Sequence, residues 1–151
     1  MHIRPADLDH PAFAALMQQH ADAMAATAPP ESRHALDLSG LRKPGVRVWT
    51  LHDGDQLAGC GALQHLEPGH VEIKTMRTAL SHLRRGVARA MLAHLLAEAR
   101  AAGYARASLE TGSMPYFEPA RTLYQAAGFR PCPPFGHYVE DPNSSYFSLT
   151  L

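Results

Sequence analysis

Leu83-Arg84-Arg85-Gly86-Val87-Ala88-Arg89-Ala90-Met91-Leu92 is the stretch on which the fold turns. Residues 71–78 precede it as a strand, Val71, Ile73 and Thr75 alternating against Glu72, Lys74 and Met76. Val87, Ala88, Met91, Leu92, Leu95 and Ala99 then recur at helical spacing, so residues 84–102 read as a helix marked by Gly86, with Gly103 as its C-cap. Residues 105–111 form a short buried strand. Strand, helix and strand make a crossover unit whose two strands should lie side by side and parallel. Arg84, Arg85 and Arg89 crowd the helix start, the positive end of the dipole, where a cation loses a few tenths to about 1 kcal/mol. A bound anion would offset that cost. The unpaired N–H groups of the first turn suit one, and Gly86 lets it approach the backbone at the carboxyl end of the preceding strand.

Working outward, residues 1–4 suit a short strand ended by Pro5. Residues 9–25 suit a helix carrying Phe13, Leu16, Met17 and Met24, with Asp9 as its cap and Pro11 in its first turn. A break at 26–30 leads to a short helix over 32–38, capped by Ser32 and ended by Gly40. Val46, Val48, Thr50 and Leu51 mark a strand that runs into the Asp53-Gly54-Asp55 turn, and residues 57–66 return as its antiparallel partner. Pro68-Gly69 turns the chain into the strand at 71–78. Beyond the crossover come a helix at 118–127 ended by Gly128, a strand from Phe129, a Pro- and Gly-rich loop, and a last strand at 145–151. The expected class is α/β: a mixed, mostly antiparallel sheet of about seven strands with a central parallel pair, flanked by about four helices.

The 151 residues, 46% hydrophobic, suit a single domain over 1–151 that buries its core without staples. Fourteen basic side chains balance fourteen acidic ones, which argues against nucleic acid or a membrane surface as a partner. Cys60 and Cys132 lie at no metal-ligand spacing and read as free thiols, and no metal is expected. There is no apolar leader and no eighteen-residue apolar run, so cytoplasm is the default compartment.

A nucleotide-triphosphatase phosphate loop would need Gly-Lys-Ser or Gly-Lys-Thr four residues after a glycine, and a dinucleotide fingerprint needs three glycines where only Gly86 stands. Neither is present. Leu83-Arg84-Arg85-Gly86-Val87-Ala88 resembles instead the pyrophosphate-binding segment of the GNAT N-acetyltransferases: Gln or Arg, two residues, Gly, one residue, then Gly or Ala. Leu83 departs from the polar first position. Ala120-Arg121-Thr122-Leu123-Tyr124-Gln125-Ala126-Ala127-Gly128-Phe129 is similar to the family's Ala-x-x-Leu-Tyr-x-x-x-Gly-Phe helix at every fixed position. The order of the two motifs around the parallel strand also agrees, and the resemblance spans residues 71–129 by motif.

The resemblance implies an enzyme that moves an acetyl group from acetyl-CoA to a primary amine by direct attack in a ternary complex. Its implied coenzyme contacts are the backbone of Met76, Arg77 and Thr78 for the pantetheine arm, and Arg84, Arg85, Gly86, Val87, Ala88 and Arg89 for the pyrophosphate. Tyr124 matches the family's general acid, which protonates or hydrogen-bonds the leaving thiolate; a core tyrosine on a buried helix face is the other reading. Glu72 matches a position where some members carry the base, and the other reading is an ordinary strand glutamate. A base is needed because an amine of pKa about 10.4 is neutral in roughly one molecule in a few thousand at pH 7. Glu110 is a second candidate, and His70 and His34 titrate in the useful range.

Acceptor selection is expected from residues 31–37 and from Tyr138-Val139-Glu140-Asp141, whose carboxylates could attract a cationic amine. The acceptor class, a small molecule or a peptide amine, stays open, as do acyl-chain length and a homodimer. A coenzyme A binding module without turnover is the competing reading. Tyr124 together with a base speaks against it, since a pure binder needs neither.

Overall fold

The computed structural model describes residues 1–32 and 37–151. In chain order these form β1 (His2–Pro5), α1 (Pro11–Thr27), α2 (Leu38–Leu41), β2 (Val46–Asp53), β3 (Gln56–Glu67), β4 (His70–Thr78), α3 (Val87–Ala101), β5 (Arg106–Gly112), α4 (Glu118–Ala126), β6 (Arg130–Pro131) and β7 (Ser144–Thr150). Short 3-10 turns lie at Pro30–Ser32, Leu80–His82 and Pro115–Phe117. All seven strands join one sheet in the order β1-β2-β3-β4-β5-β7-β6, with β4 and β5 parallel and the other neighbours antiparallel. The expected mixed sheet is what the chain builds.

Strand alternation sorts the core onto two faces. Val71, Ile73, Ala107, Leu109 and Phe147 cluster with Val87, Met91, Leu92, Leu95 and Ala99 of α3 and with Tyr124 and Phe129. Contact there is close: a Cβ on Gly61 would stand 2.8 Å from Met91 Cγ and 2.9 Å from Leu95 Cδ1. On the other face Phe13 and Leu16 of α1 pack with Leu41, Cys60 and Ala62. A third cluster, Phe135, Tyr138 and Tyr146, forms between the loop before β7 and β7 itself.

The parallel pair is short. β4 and β5 are in register only at His70↔Arg106, Val71↔Ala107 and Glu72↔Ser108; thereafter β4 stays with β3 to Thr78 and β5 stays with β7 to Gly112. The two strands therefore part beyond Glu72 and Ser108, leaving a wedge open at their carboxyl ends. A bulge sits beside it, where the β3–β4 register slips between Cys60 and Ala62 and Thr75 takes φ 57°. The slip changes which face each residue meets. Lys74 lies opposite Ala62 and Arg77 opposite Cys60, so both face α1, whereas Met76 Sδ lies 3.1 Å from a Cβ built on Gly61, toward α3. The alternation expected through Met76 holds only as far as Lys74.

Several boundaries differ from expectation for local reasons. His10, not Asp9, caps α1: its Nδ1 accepts from the Ala12 N–H at 3.0 Å, while Asp9 pairs with Arg42 at 2.7 Å. Ser32 closes a 3-10 turn instead of opening a helix, and Arg33, His34, Ala35 and Leu36 lie outside the described residues. Gly40 is inside α2, where its N–H bonds the capping Asp37 carboxylate at 2.8 Å. α3 begins at Val87, not Arg84, because Arg84 and Gly86 hold φ 61° and 84°, which no right-handed helix contains.

Candidate active site

At the mouth of the wedge the chain from Leu83 to Gly86 turns into α3. No side chain caps this helix and its first turn has no acidic residue, so the N–H groups of Val87, Ala88 and Arg89 face outward without intrahelical partners. A Cβ on Gly86 would meet nothing within 4 Å, which leaves open space over those amides. Arg84 holds its left-handed conformation at a cost of about 1–2 kcal/mol. The loop is tied down behind. His82, 1% exposed, places Nε2 3.1 Å from Asp53 Oδ2 and Nδ1 2.7 Å from Ser81 Oγ, and Arg85 reaches the same Asp53 oxygen at 3.3 Å. His82 and Arg85 together hold Asp53 well below the usual carboxylate range. Arg85 is thus engaged, while Arg84 and Arg89 make no ion pair among the described residues. This Asp53 anchor is the part of the site that sequence reasoning missed; nothing short of the fold brings the hairpin turn to the loop.

Met76, Arg77 and Thr78 lie on the final stretch of β4 beside the wedge. Tyr124 of α4 is 7% exposed, belongs to the core cluster on the α3 face, and meets the Phe129 ring edge to face. Burial, reinforced by Glu110, pushes its phenol well above the usual range. The hydroxyl therefore keeps its proton at neutral pH.

Glu72 and Glu110 occupy different surroundings. Glu72 is 2% exposed; its Oε2 accepts from the Tyr138 hydroxyl at 2.6 Å and lies 3.5 Å from Lys74 Nζ, while Oε1 is buried without a hydrogen bond. Lys74 in turn donates to the Tyr138 hydroxyl at 3.0 Å. Glu110, two residues beyond the last rung that β5 shares with β4, accepts from Ser144 Oγ at 2.7 Å. Burial raises its carboxyl to about 7, aided by the negative charges of Glu72 and Asp141 and opposed by Ser144 and Lys74. His70 is committed elsewhere, with Nε2 2.6 Å from Ser108 Oγ, and burial beside Arg106 lowers its pKa. His34 falls outside the described residues.

The two segments expected to select the acceptor meet in space. Ser32 donates to Asp141 Oδ2 at 2.6 Å, Asn143 donates to Ser32 at 3.3 Å, and Glu31, Ser32 and residues 139–143 line a cavity of about 360 Å³. Ser113 Oγ bonds the Pro142 carbonyl at 2.6 Å, which fixes this loop to the end of β5. Cys60 is buried, donates to the Thr75 carbonyl at 3.2 Å and has its thiol pushed up to about 12, so it stays protonated and is a poor nucleophile. Burial raises Cys132 as well. Among the described residues no three His, Cys, Asp or Glu side chains are placed to hold a metal ion, and no helix is long and apolar enough to cross a membrane.

Comparison with known proteins agrees with this geometry. Residues 13–129 match the Acetyltransferase (GNAT) family. The chain is 51% identical over all of its length to the uncharacterized N-acetyltransferase YsnE of Bacillus subtilis, the whole of which is covered. It is 48% identical over 99% of its length to the uncharacterized N-acetyltransferase YedL of Escherichia coli, 94% of which is covered. A Bacillus subtilis acetyltransferase solved in complex with CoA shares the fold at a TM-score of 0.71 and 18% identity, over 99% of this chain and 98% of that one. An uncapped, glycine-opened helix at a parted parallel pair, a family match across most of the chain and relatives half identical end to end lead to one assignment: the chain belongs to the GNAT family and is an acetyl-CoA-dependent acyltransferase.

Proposed function

We propose that this chain, acting as one domain over residues 1–151, transfers the acetyl group of acetyl-CoA directly to a primary amine in a ternary complex. The observation that carries the reading is the parting of β4 and β5 beyond Glu72 and Ser108, with the uncapped start of α3 at its mouth and Tyr124, Glu72 and Glu110 around it. The amides of residues 86–89, with Arg84 and Arg89, take the pyrophosphate, while Arg85 holds the loop through Asp53. The backbone of Met76, Arg77 and Thr78, no longer paired with β5, is available to the amide-rich pantetheine arm.

In the reaction the ammonium gives up one proton, the nitrogen lone pair forms the N–C bond, the C–S bond breaks, the leaving thiolate takes the Tyr124 proton, and the second N–H proton, lost as the amide forms, restores the Tyr124 phenol. Tyr124, kept protonated by burial, donates to the developing thiolate. The proton from the ammonium goes to the carboxylate pair. Glu110 is its receiving member, because a pKa of about 7 lets it accept a proton at neutral pH and release it again. Glu72, fixed by Tyr138 and Lys74, is the inner member; burial is what chiefly raises Glu110, and the Glu72 charge adds to it.

A transfer assay with acetyl-CoA against a panel of small amines and peptides bearing free N-termini tests this. Thiol release that depends on an amine, with a matching N-acetyl product, is expected. Acetyl-CoA binding with no transfer to any amine would leave a coenzyme A binding module.

A further inference from the structure

The side chain of Arg77 takes no part in the acetyl transfer proposed above for Tyr124, Glu72 and Glu110, and its surroundings are unusual. It is half-buried, and Nε is shut off from solvent with no hydrogen-bond partner. No carboxylate lies within ion-pair distance among the described residues; the Nη1 contact to the Tyr116 hydroxyl, at 3.5 Å, is long. On α1, burial and the Arg77 charge lower the pKa of His20 to about 4, so this imidazole is neutral at pH 7 and supplies Arg77 with no counter-charge. A partly desolvated guanidinium without a counter-ion is costly, and so is a buried N–H left unmatched.

Arg77 also sits on the side of the sheet that an acceptor would use. It lies opposite Cys60 and faces α1, whereas α3, whose start carries the anion site, covers the other face. The guanidinium is therefore turned away from the site assigned to the pyrophosphate. Its contact with Tyr116, in the turn after β5, reaches from the end of β4 across the wedge. Glu72 lies on the same face of β4, and its own buried Oε1 also lacks a hydrogen bond. Of the buried side-chain atoms left without partners among the described residues, Glu72 Oε1, Thr75 Oγ1 and Arg77 Nε all fall within six consecutive residues of β4. Along this face the Glu72 charge is countered by Lys74 at 3.5 Å and Glu110 lies on the neighbouring strand, whereas Arg77 has no counter-ion among the described residues.

We infer that the acceptor is an amine that also carries a carboxylate, an amino acid, whose ammonium is held toward Glu110 and Glu72 and whose carboxylate is held edge-on by the Nε and Nη of Arg77. A planar fork suits a carboxylate better than a point charge does. The inference rests on the N-acetyltransferase reading above and deepens it to a substrate class.

The test compares free L-amino acids and 4-aminobutyrate with their carboxamides and with the corresponding decarboxylated amines, using wild type, R77Q and R77K, alongside acetyl-CoA affinity by calorimetry. Wild type should favour the free acids at least tenfold in kcat/KM. R77Q should raise KM for the acid at least tenfold more than it raises KM for the matching carboxamide, and R77K should partly restore that preference. Equal use of acid and carboxamide, or an R77Q defect confined to acetyl-CoA affinity, overturns the amino-acid acceptor while leaving the N-acetyltransferase reading intact. Transfer to no amine at all overturns both.

Discussion

Residue identity sets the chemistry only once burial is added. Tyr124 and Phe are nearly isosteric, so Tyr124→Phe should keep the packing on Phe129 and remove the hydroxyl alone. The expected result is a fall in kcat of at least tenfold with acetyl-CoA affinity within twofold of wild type, read by steady-state kinetics and calorimetry; an unchanged kcat would return Tyr124 to a purely structural role. Glu110 makes a prediction with two signs. Its carboxyl is raised from the usual 4.5 to about 7 in the folded chain. Between those values the unfolded chain loses this proton while the folded chain keeps it, so the contribution to stability falls as pH rises through that window. Glu110→Gln should therefore be more stable than wild type at pH 8, on the order of 1–3 kcal/mol, with the gain shrinking toward pH 5. The same variant should lose roughly 10²-fold or more in kcat. Thermal unfolding at the two pH values and a pH–rate profile check both halves. Tyr124 was legible as a candidate from its motif, and Glu110 stood second to Glu72, because the strand pattern places both carboxylates without saying which one remains open to exchange a proton.

At the scale of elements, the loop from Leu83 to Gly86 and the start of α3 act together. Gly86→Glu introduces a side chain at φ 84° and a negative charge over the free amides. A Cβ there meets open space, so the folded core is spared apart from a backbone cost of about 1–2 kcal/mol, whereas the anion site is blocked. Acetyl-CoA affinity should fall by at least a hundredfold while the chain remains folded, as measured by calorimetry and circular dichroism. Retained affinity would move the pyrophosphate away from this helix. The motif gave the loop away, yet α3 was expected to start three residues early, at Arg84, since the left-handed turn there leaves no trace in hydrophobic periodicity. The bulge at Thr75 escaped for a related reason: alternation is a two-residue rule, and one inserted residue reverses it locally.

For the whole molecule, the coenzyme should act as a brace. Its pantetheine arm would bridge β4 and β5 where no strand pairing joins them, and its phosphates would neutralise the charge at the start of α3. A ligand that binds only the folded chain, present at 100 times its Kd, adds about 2.7 kcal/mol, which for a chain of this size corresponds to a Tm rise of roughly 5–11 °C. Differential scanning fluorimetry with acetyl-CoA should show such a shift. No shift at millimolar acetyl-CoA would sink the coenzyme assignment for this chain.

Local chemistry was enough to determine the crossover unit, the mixed sheet, the glycine-marked helix behind the strand and the family. Each is written in short-range periodicity, in glycines that permit left-handed turns, and in two motifs whose order matters. Only the tertiary structure decided that β4 and β5 part after three rungs, that Asp53 grips the loop before α3 through His82 and Arg85, that Glu72 is locked to Tyr138 and Lys74 while burial raises Glu110 to about 7, and that Arg77 has no counter-ion among the described residues. These depend on residues far apart in the chain and on how much water reaches them. Burial and long-range pairing arise only when the sheet closes, and no spacing within the sequence encodes them.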